Sequence, residues 1–406
     1  MPTALYVHIP FCLKRCIYCD FVSGIYEPEK AGAYIEALKK EVQGRMIKGI
    51  STLYIGGGTP TALATDVLAD LIKYIFSLFQ FAENYEATIE ANPGTIDKEK
   101  LQAIRSSGIN RISIGVQSFN DDELAFLGRI HSSGDAEQAV HLARSAGFEN
   151  IGIDLIYGIP GPSIESWKRT LEEAVRLKPQ HISTYELTVE EGTELSEYLM
   201  DHPHPNPLPS RERVLKKSPP SPRGRGIGGG GNNLSMPEED TIIEMYEYTI
   251  DYLTANGYVH YEISNFALPG YQCRHNLNYW DRGEYYGVGL GAHSFIDGKR
   301  FYNTDNLDEY LKMISEGKSP IKETEDITAD KAFFEAFFLG LRKTEGINLK
   351  AFSERYGKDI LQLYGEKIGE LQDAGLMELG TNRLNRYLRL TRKGILLSNE
   401  IFAGFT

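Results

Sequence analysis

Six short runs rich in β-branched and aromatic residues, at 5–9, 52–55, 86–91, 111–116, 151–157 and 181–187, alternate with helical patterns through the first half of the chain. Tyr34, Ile35, Leu38, Val42 and Met46 keep helical spacing, as do Val67, Leu68, Leu71, Ile72, Ile75 and Leu78, and a further helix is predicted over 164–177 behind Ser163. Strands joined by helical crossovers run parallel, because a tight hairpin returns the chain antiparallel. Six units fall short of the eight that close a barrel. The predicted fold class is α/β, with an open, curved parallel sheet: a partial (βα)6 barrel over residues 1–200.

That regularity stops near residue 200. Residues 201–234 read DHPHPNPLPSRERVLKKSPPSPRGRGIGGGGNNL and hold seven of the chain's 18 prolines and six of its 40 glycines. Proline and glycine at this density sustain no hydrogen-bond ladder and bury little surface, so 201–235 is predicted to be a disordered Pro/Gly/Arg-rich insertion. Its six basic residues against Asp201 and Glu212 make it locally +4, which suits a solvated linker better than a nucleic-acid tether. Order resumes near 237–240 with a helix through Met245, Tyr246 and Ile250, and a tyrosine-rich segment within 236–320 is expected to complete the barrel. Helical patterns at 333–341, 349–356 and 360–371, then strand patterns at 377–379 and 387–390, predict a smaller C-terminal α+β domain of winged-helix type over 321–406. Its 13 basic and 13 acidic side chains give no positive face for DNA, so a packing or lid role is expected.

Across 406 residues, 43 Lys+Arg stand against 56 Asp+Glu, a formal net charge of −13 that speaks against broad, salt-driven nucleic-acid binding. No apolar run approaches the ~20 residues of a spanning helix. Residues 1–10 lack the basic, apolar and cleavage regions of a secretory signal, so a cytoplasmic location is expected. Of four cysteines, Cys12, Cys16 and Cys19 crowd within eight positions while Cys273 stands apart, a distribution that points to metal ligation rather than bridges.

The crowded loop reads Phe11-Cys12-Leu13-Lys14-Arg15-Cys16-Ile17-Tyr18-Cys19-Asp20-Phe21 and follows the first strand. Three thiolates in C-x-x-x-C-x-x-C spacing can each hold one iron of a cubane cluster, leaving a fourth iron open to a small molecule. Structural zinc, the competing metal, takes four N/S ligands in paired knuckles, and no local fourth ligand is present. Polar residues at later strand ends converge on one edge of the sheet, where α/β proteins bind ligands. They are Gly56-Gly57-Gly58-Thr59-Pro60, whose glycines allow close backbone approach, then Glu90, Gln117 and Asp154, with Arg129 and His131 adding a cation beside them. Taken singly, each is equally a satisfied strand-end group.

The cysteine loop, with Tyr18 before its last cysteine, resembles that of the radical S-adenosylmethionine (SAM) superfamily, whose typical fold is a parallel partial barrel. Within that superfamily the chain resembles the HemW-type heme chaperones and their paralogues, the oxygen-independent coproporphyrinogen III dehydrogenases, over everything but 201–234. The resemblance implies a 4Fe–4S cluster on Cys12, Cys16 and Cys19, and SAM contacts at Tyr6, Tyr18, Gly57, Gly58, Thr59, Glu90, Gln117, Arg129 and Asp154. In such proteins SAM chelates the open iron, and one electron from the cluster releases a deoxyadenosyl radical. The dehydrogenases resemble C-x-x-x-C-x-x-C-x-C behind a long N-terminal extension, whereas here Asp20-Phe21 follows Cys19 and only 11 residues precede Cys12. The chaperones carry H-N-x-x-Y-W, and this chain has His275-Asn276-Leu277-Asn278-Tyr279-Trp280.

By that resemblance His275, Asn276, Tyr279 and Trp280 are heme contacts. A neutral imidazole can ligate heme iron, the two rings offer flat faces to a macrocycle, and Asn276 can fix the imidazole tautomer. His275 is the expected axial ligand, with Cys273 and His293 as alternatives. Without the resemblance, the same residues read as a half-buried strand whose His and Trp pack. The expected function is a chaperone that binds a 4Fe–4S cluster, SAM and heme and passes heme to an acceptor hemoprotein, for example a membrane-associated respiratory protein. A homodimer is a candidate state and no nucleic acid is expected. The other readings are the dehydrogenase of porphyrin biosynthesis and, more weakly, a winged-helix regulator, so enzymatic activity stays open.

Overall fold

The computed structural model describes residues 3–45, 47, 49–161, 163–201, 236–382 and 385–405. Six parallel strands, β1 (Thr3–Ile9), β2 (Ile50–Gly57), β3 (Phe81–Ala91), β4 (Arg111–Gln117), β5 (Asn150–Tyr157) and β6 (His181–Glu186), lie side by side in chain order. Helices α1 (Pro28–Gln43), α2 (Thr65–Leu78), α3 (Lys98–Ser106), α4 (Asp121–Phe126), α5 (Ser133–Ser145) and α6 (Ile164–Arg176) connect them. The expected partial barrel is therefore present.

Strand β4 explains how the barrel becomes a container. Ile112, Ile114 and Val116 are fully buried, while the alternate residues Arg111, Ser113, Gly115 and Gln117 line the concave side. The outer helices pack through stripes such as Leu68, Leu71, Ile72 and Ile75 on α2. Local polar chemistry sets their starts: the Asp97 side chain accepts from Lys100 N, and Ser132 and Asp135 form a reciprocal capping box on α5.

Beyond β6, α7 (Glu194–Asp201) ends at the predicted insertion, which but for Asp201 lies outside the described residues. Helix α8 (Glu239–Ala255) packs against α6, where Trp167 Nε1 donates to Thr249 Oγ1 at 2.8 Å. β7 (Val259–Glu262) and β8 (Asn265–Ala267) then extend the sheet, β8 antiparallel to β6 and β7 antiparallel to β8. A short helix, α9 (Arg274–Trp280), leads to β9 (Tyr285–Val288), which pairs parallel with β1 on the opposite edge, Ala4 facing Tyr285 and Val7 facing Val288. β10 (His293–Ile296), β11 (Lys299–Asn303), α10 (Leu307–Ser315) and β12 (Ile321–Asp326) complete that side. The resulting twelve-stranded sheet stays open. Residues 236–320 thus lengthen both edges of the wall rather than join them.

β12 also moves the expected domain boundary at residue 321, because that strand belongs to the large sheet. The smaller unit begins with α11 (Ala329–Leu341) and continues through β13 (Ile347–Asn348), α12 (Leu349–Tyr356), α13 (Ile360–Asp373), the hairpin β14 (Met377–Asn382) and β15 (Asn385–Leu390), α14 (Arg392–Leu396) and α15 (Ser398–Ala403). Its helices and three-stranded antiparallel sheet have winged-helix character. Aromatic packing holds it: Phe337 stacks on Tyr364 at 5.7 Å and meets Phe405 edge-on at 5.0 Å. Among the described residues no helix is long and apolar enough to cross a membrane.

Candidate functional site

A cavity of about 650 Å³ opens on the concave face of the sheet. Its wall includes Tyr54, Gly57, Gly58 and Thr59 around β2, Glu90 of β3, Gln117 of β4 and Asp154 of β5, and the cysteine loop rims it with Cys12, Cys16, Tyr18 and Cys19. Ile395, Leu396, Ser398 and Asn399 bring the C-terminal unit to the same space.

The cysteine loop is held by backbone bonds, including Cys19 N to Cys16 O at 3.2 Å and Tyr26 N to Cys12 O at 2.8 Å. Thr59 Oγ1 donates to Cys12 Sγ at 3.5 Å, and Arg129 Nη1 donates to Cys16 Sγ at 3.3 Å. Burial pushes the Cys12 and Cys19 thiols up from their ordinary range, so their thiolates need a compensating positive charge. Two glycines make the close approach possible. Gly57 has φ +113°, and a Cβ there would stand 2.5 Å from His8 Cε1; a Cβ on Gly58 would stand 2.9 Å from Phe11 O and 3.1 Å from Cys12 Sγ. Among the described residues no three His, Cys, Asp or Glu side chains gather as ligands of one metal ion. Cubane ligation needs no such convergence, because each thiolate takes its own iron. A three-sulfur donor set beside Arg129 fits a 4Fe–4S cluster.

Along the strand ends, Glu90 accepts from Tyr54 Oη at 2.7 Å through Oε1 and from Gly57 N at 3.1 Å through Oε2. Burial pushes its carboxyl up to about 7, against the downward pull of the Tyr54 hydroxyl. Asp154 accepts from Ser113 Oγ, 3.2 and 3.1 Å from its two oxygens, and burial raises it as well. Gln117 ends β4 at φ +67°, a left-handed conformation that costs a non-glycine residue and re-aims the side chain at the strand terminus. Arg129 Nη2 donates to Gly115 O at 2.7 Å. His131 is brought by burial and by Arg129 down to about 4, so it is neutral and Arg129 is the cation of that pair. Tyr6 lies outside the cavity wall. His8 Nε2 donates to Val22 O at 2.7 Å, so the neutral ring's Nδ1 accepts from Tyr6 Oη at 2.9 Å.

The His-Asn-x-x-Tyr-Trp segment forms helix α9, not the half-buried strand that its bare residue pattern suggested. Its start is held by the buried Glu86 carboxylate, which accepts from Arg274 N and His275 N, both at 3.1 Å. His275 is 1% exposed. Its Nδ1 lies 2.8 Å from Thr52 Oγ1 and its Nε2 lies 2.9 Å from Tyr279 Oη. Both nitrogens are committed, and burial brings the imidazole down to about 3, so it is neutral. The expectation that His275 ligates heme iron is therefore corrected: the neutral ring has a single lone-pair nitrogen, and it is bonded inside the fold like the N–H opposite. The alternatives fare no better as cavity ligands. Cys273 is buried with its thiol pushed up to about 12, and its Sγ donates to Glu86 Oε1 at 3.7 Å, while His293 is exposed on β10, stacked on Tyr302 at 5.1 Å. Asn276 is the motif residue that lines the cavity. Tyr279 packs edge-on against Tyr285 at 4.7 Å, and Trp280 lies beneath the Arg342 guanidinium at 4.6 Å.

Sequence reasoning missed Arg111, Ser113, His181, Ser183, Tyr185 and Arg342, all of which line the cavity. For Arg111 and Ser113 a signal was present: polar side chains at every second position of an otherwise apolar parallel strand mark an inward face. Arg342 carries no such signal.

Residues 6–174 match the family model "Radical SAM superfamily", and residues 327–397 match "HemN C-terminal domain". Over 405 residues the chain is 37% identical to "Heme chaperone HemW" of Lactococcus lactis subsp. lactis (strain IL1403), covering 100% of this chain and 97% of that protein. The chain belongs to the HemW family of the radical SAM superfamily. HemW relatives from Bacillus subtilis (strain 168) and Escherichia coli (strain K12) are 34% and 35% identical, covering 98% and 100% of this chain and 98% of each relative. The solved structure of Escherichia coli coproporphyrinogen III oxidase (HemN) superposes with a TM-score of 0.79 at 23% identity, covering 100% of this chain and 90% of that one, so HemW and HemN share a fold.

Proposed function

We propose that this HemW-family chain is a cytoplasmic heme chaperone that holds a 4Fe–4S cluster on Cys12, Cys16 and Cys19, holds SAM along the strand ends, and passes heme to an acceptor hemoprotein. The observation that carries the reading is the cysteine trio rimming one cavity with Thr59, Glu90, Gln117, Arg129 and Asp154 on its wall. When bound, the cluster supplies a one-electron reductant and an iron site open to the amino and carboxylate groups of SAM.

The residues have separable tasks. Thr59 donates to Cys12 and Arg129 to Cys16, and so they hold the two sulfurs in place. Gly57 and Gly58 bring backbone amide and carbonyl groups close to the methionine moiety. Each Glu90 oxygen retains a lone pair for a ribose hydroxyl beyond its bonds to Tyr54 and Gly57. Asn276 and Trp280 serve heme, and His275 serves it indirectly by fixing helix α9 to strand β2. The relatives named as heme chaperones support the heme role, and Asp20-Phe21 after Cys19 speaks against the dehydrogenase.

Anaerobic reconstitution with iron and sulfide, followed by heme titration and transfer to an apo-hemoprotein, tests the reading. A cluster chromophore together with saturable heme binding and transfer supports it. Rescue of a strain lacking coproporphyrinogen dehydrogenase would overturn it.

A further inference from the structure

Arg342 directly follows α11 in the C-terminal unit, yet it lines the barrel cavity. Its main chain is stapled to the sheet edge: Ile263 N donates to Arg342 O at 3.1 Å, Thr344 N donates to Tyr261 O at 3.2 Å, and Thr344 Oγ1 donates to His260 O at 2.7 Å. The guanidinium rests on the Trp280 ring at 4.6 Å. Its neighbour Lys343 is paired with Asp281 at 2.6 Å and Glu345 at 3.3 Å. Among the described residues the Arg342 side chain has no such ion pair and no hydrogen bond. The buried carboxylate whose field reaches it, Glu262, is bonded to Asn265 instead.

A guanidinium held by one face on an aromatic ring keeps its in-plane N–H edges free, and that fork matches a carboxylate bidentately. Partial burial strengthens such a contact and disfavours leaving the cation alone, as the downward push of burial on Arg342 indicates. Two carboxylates of the wall are engaged elsewhere, Glu90 by Tyr54 and Gly57 and Asp154 by Ser113. A cation fixed at the seam between barrel and C-terminal unit, with its fork unused, is built to receive an acid from a ligand.

We infer that Arg342 is a carboxylate-reading residue of the cavity, its fork taking a carboxylate of the molecule held between the barrel and the C-terminal unit. On the reading above, that group is a heme propionate, since the SAM carboxylate is assigned to the cluster iron; the SAM arm of the test checks that assignment.

The test uses the full-length, anaerobically reconstituted protein, titrated separately with hemin, hemin dimethyl ester and SAM, for wild type, Arg342→Met and Arg342→Lys. Wild type is expected to prefer hemin over its ester, and Arg342→Met to lose about 10- to 100-fold in hemin affinity while binding the ester unchanged, the range for a charge-assisted pair. Arg342→Lys, which keeps the charge without the planar fork, is expected to fall between. A loss confined to SAM assigns the carboxylate to SAM. Unchanged hemin-to-ester ratios and unchanged SAM affinity in Arg342→Met overturn the inference. If Arg342→Met does not fold, unchanged values in Arg342→Lys overturn it. Wild type that binds no hemin counts against the chaperone reading, while the SAM arm still tests Arg342.

Discussion

Thr52 Oγ1 sits 2.8 Å from Nδ1 of His275, a contact made across 223 positions of sequence. With Tyr279 on Nε2, it makes the imidazole a bolt between strand β2 and helix α9. His275→Ala removes a buried ring and leaves two hydroxyls unpaired, so a loss of about 2–4 kcal/mol in denaturant unfolding is expected. The heme Soret band of the folded variant is expected to stay where it is in wild type. A displaced band in folded His275→Ala would restore the ring as an iron ligand.

Acid should weaken the same bolt. The folded imidazole is held near about 3 and an unfolded one titrates near ~6.5. Above ~6.5 both states are neutral, and as pH falls below it only the unfolded chain takes the proton, so stability drops toward about 3. His275→Gln is expected to flatten that slope in urea melts between pH 4 and 6, and an unaltered slope would remove the ring as its source.

Glu90 has the opposite sign. Its folded carboxyl is raised to about 7 and an unfolded one titrates near ~4.3. Below ~4.3 both are protonated; between the two values the unfolded chain ionises first, so this group's contribution falls as pH rises and is lost above about 7. Because Glu90 borders an open cavity, a few kcal/mol is the upper bound. Glu90→Gln should reduce the decline between pH 5 and 7, whatever its absolute stability, and an identical decline would exclude Glu90.

Each cysteine of the trio should be separately necessary. Cys12→Ser, Cys16→Ser and Cys19→Ser are expected to lose most bound iron and the brown chromophore after reconstitution, while Cys273→Ser retains both. Full iron content in any of the first three would remove that thiol from the proposed ligand set.

Gly57→Ala should cost more than an ordinary left-handed glycine. The added methyl meets the His8 ring, which bonds Tyr6, so about 2–4 kcal/mol is expected. Gly257, at φ +88° with nothing within 4 Å of its Cβ position, is the control and should lose about 1 kcal/mol as Gly257→Ala. Equal losses in thermal or urea melts would place the whole effect in the backbone.

Much of this architecture was legible in one dimension, and the reasons differ by element. The alternation of apolar runs with helical stripes dictated parallel strands, since the connections were too long for hairpins and carried their own periodicity. Arg111 was overlooked because a charge inside a strand reads as a surface residue until its neighbours Ile112 and Ile114 are seen facing the helices. The strand at 321–326 was assigned to the wrong unit because edge pairing depends on β11, not on local pattern. Helix α9 was misread because it starts on Glu86, a carboxylate from a distant strand that no short-range signal announces.

By itself, the chain determined its parallel sheet and its three-thiol loop, because periodicity and cysteine spacing are relations among residues a few positions apart. Only the tertiary structure decided that His275 is occupied at both nitrogens, and that the Arg342 guanidinium rests on Trp280 with no hydrogen-bond acceptor among the described residues. Whether a polar atom is spent or available depends on partners that folding brings from far along the chain, and for these two residues those partners were Thr52 and Trp280.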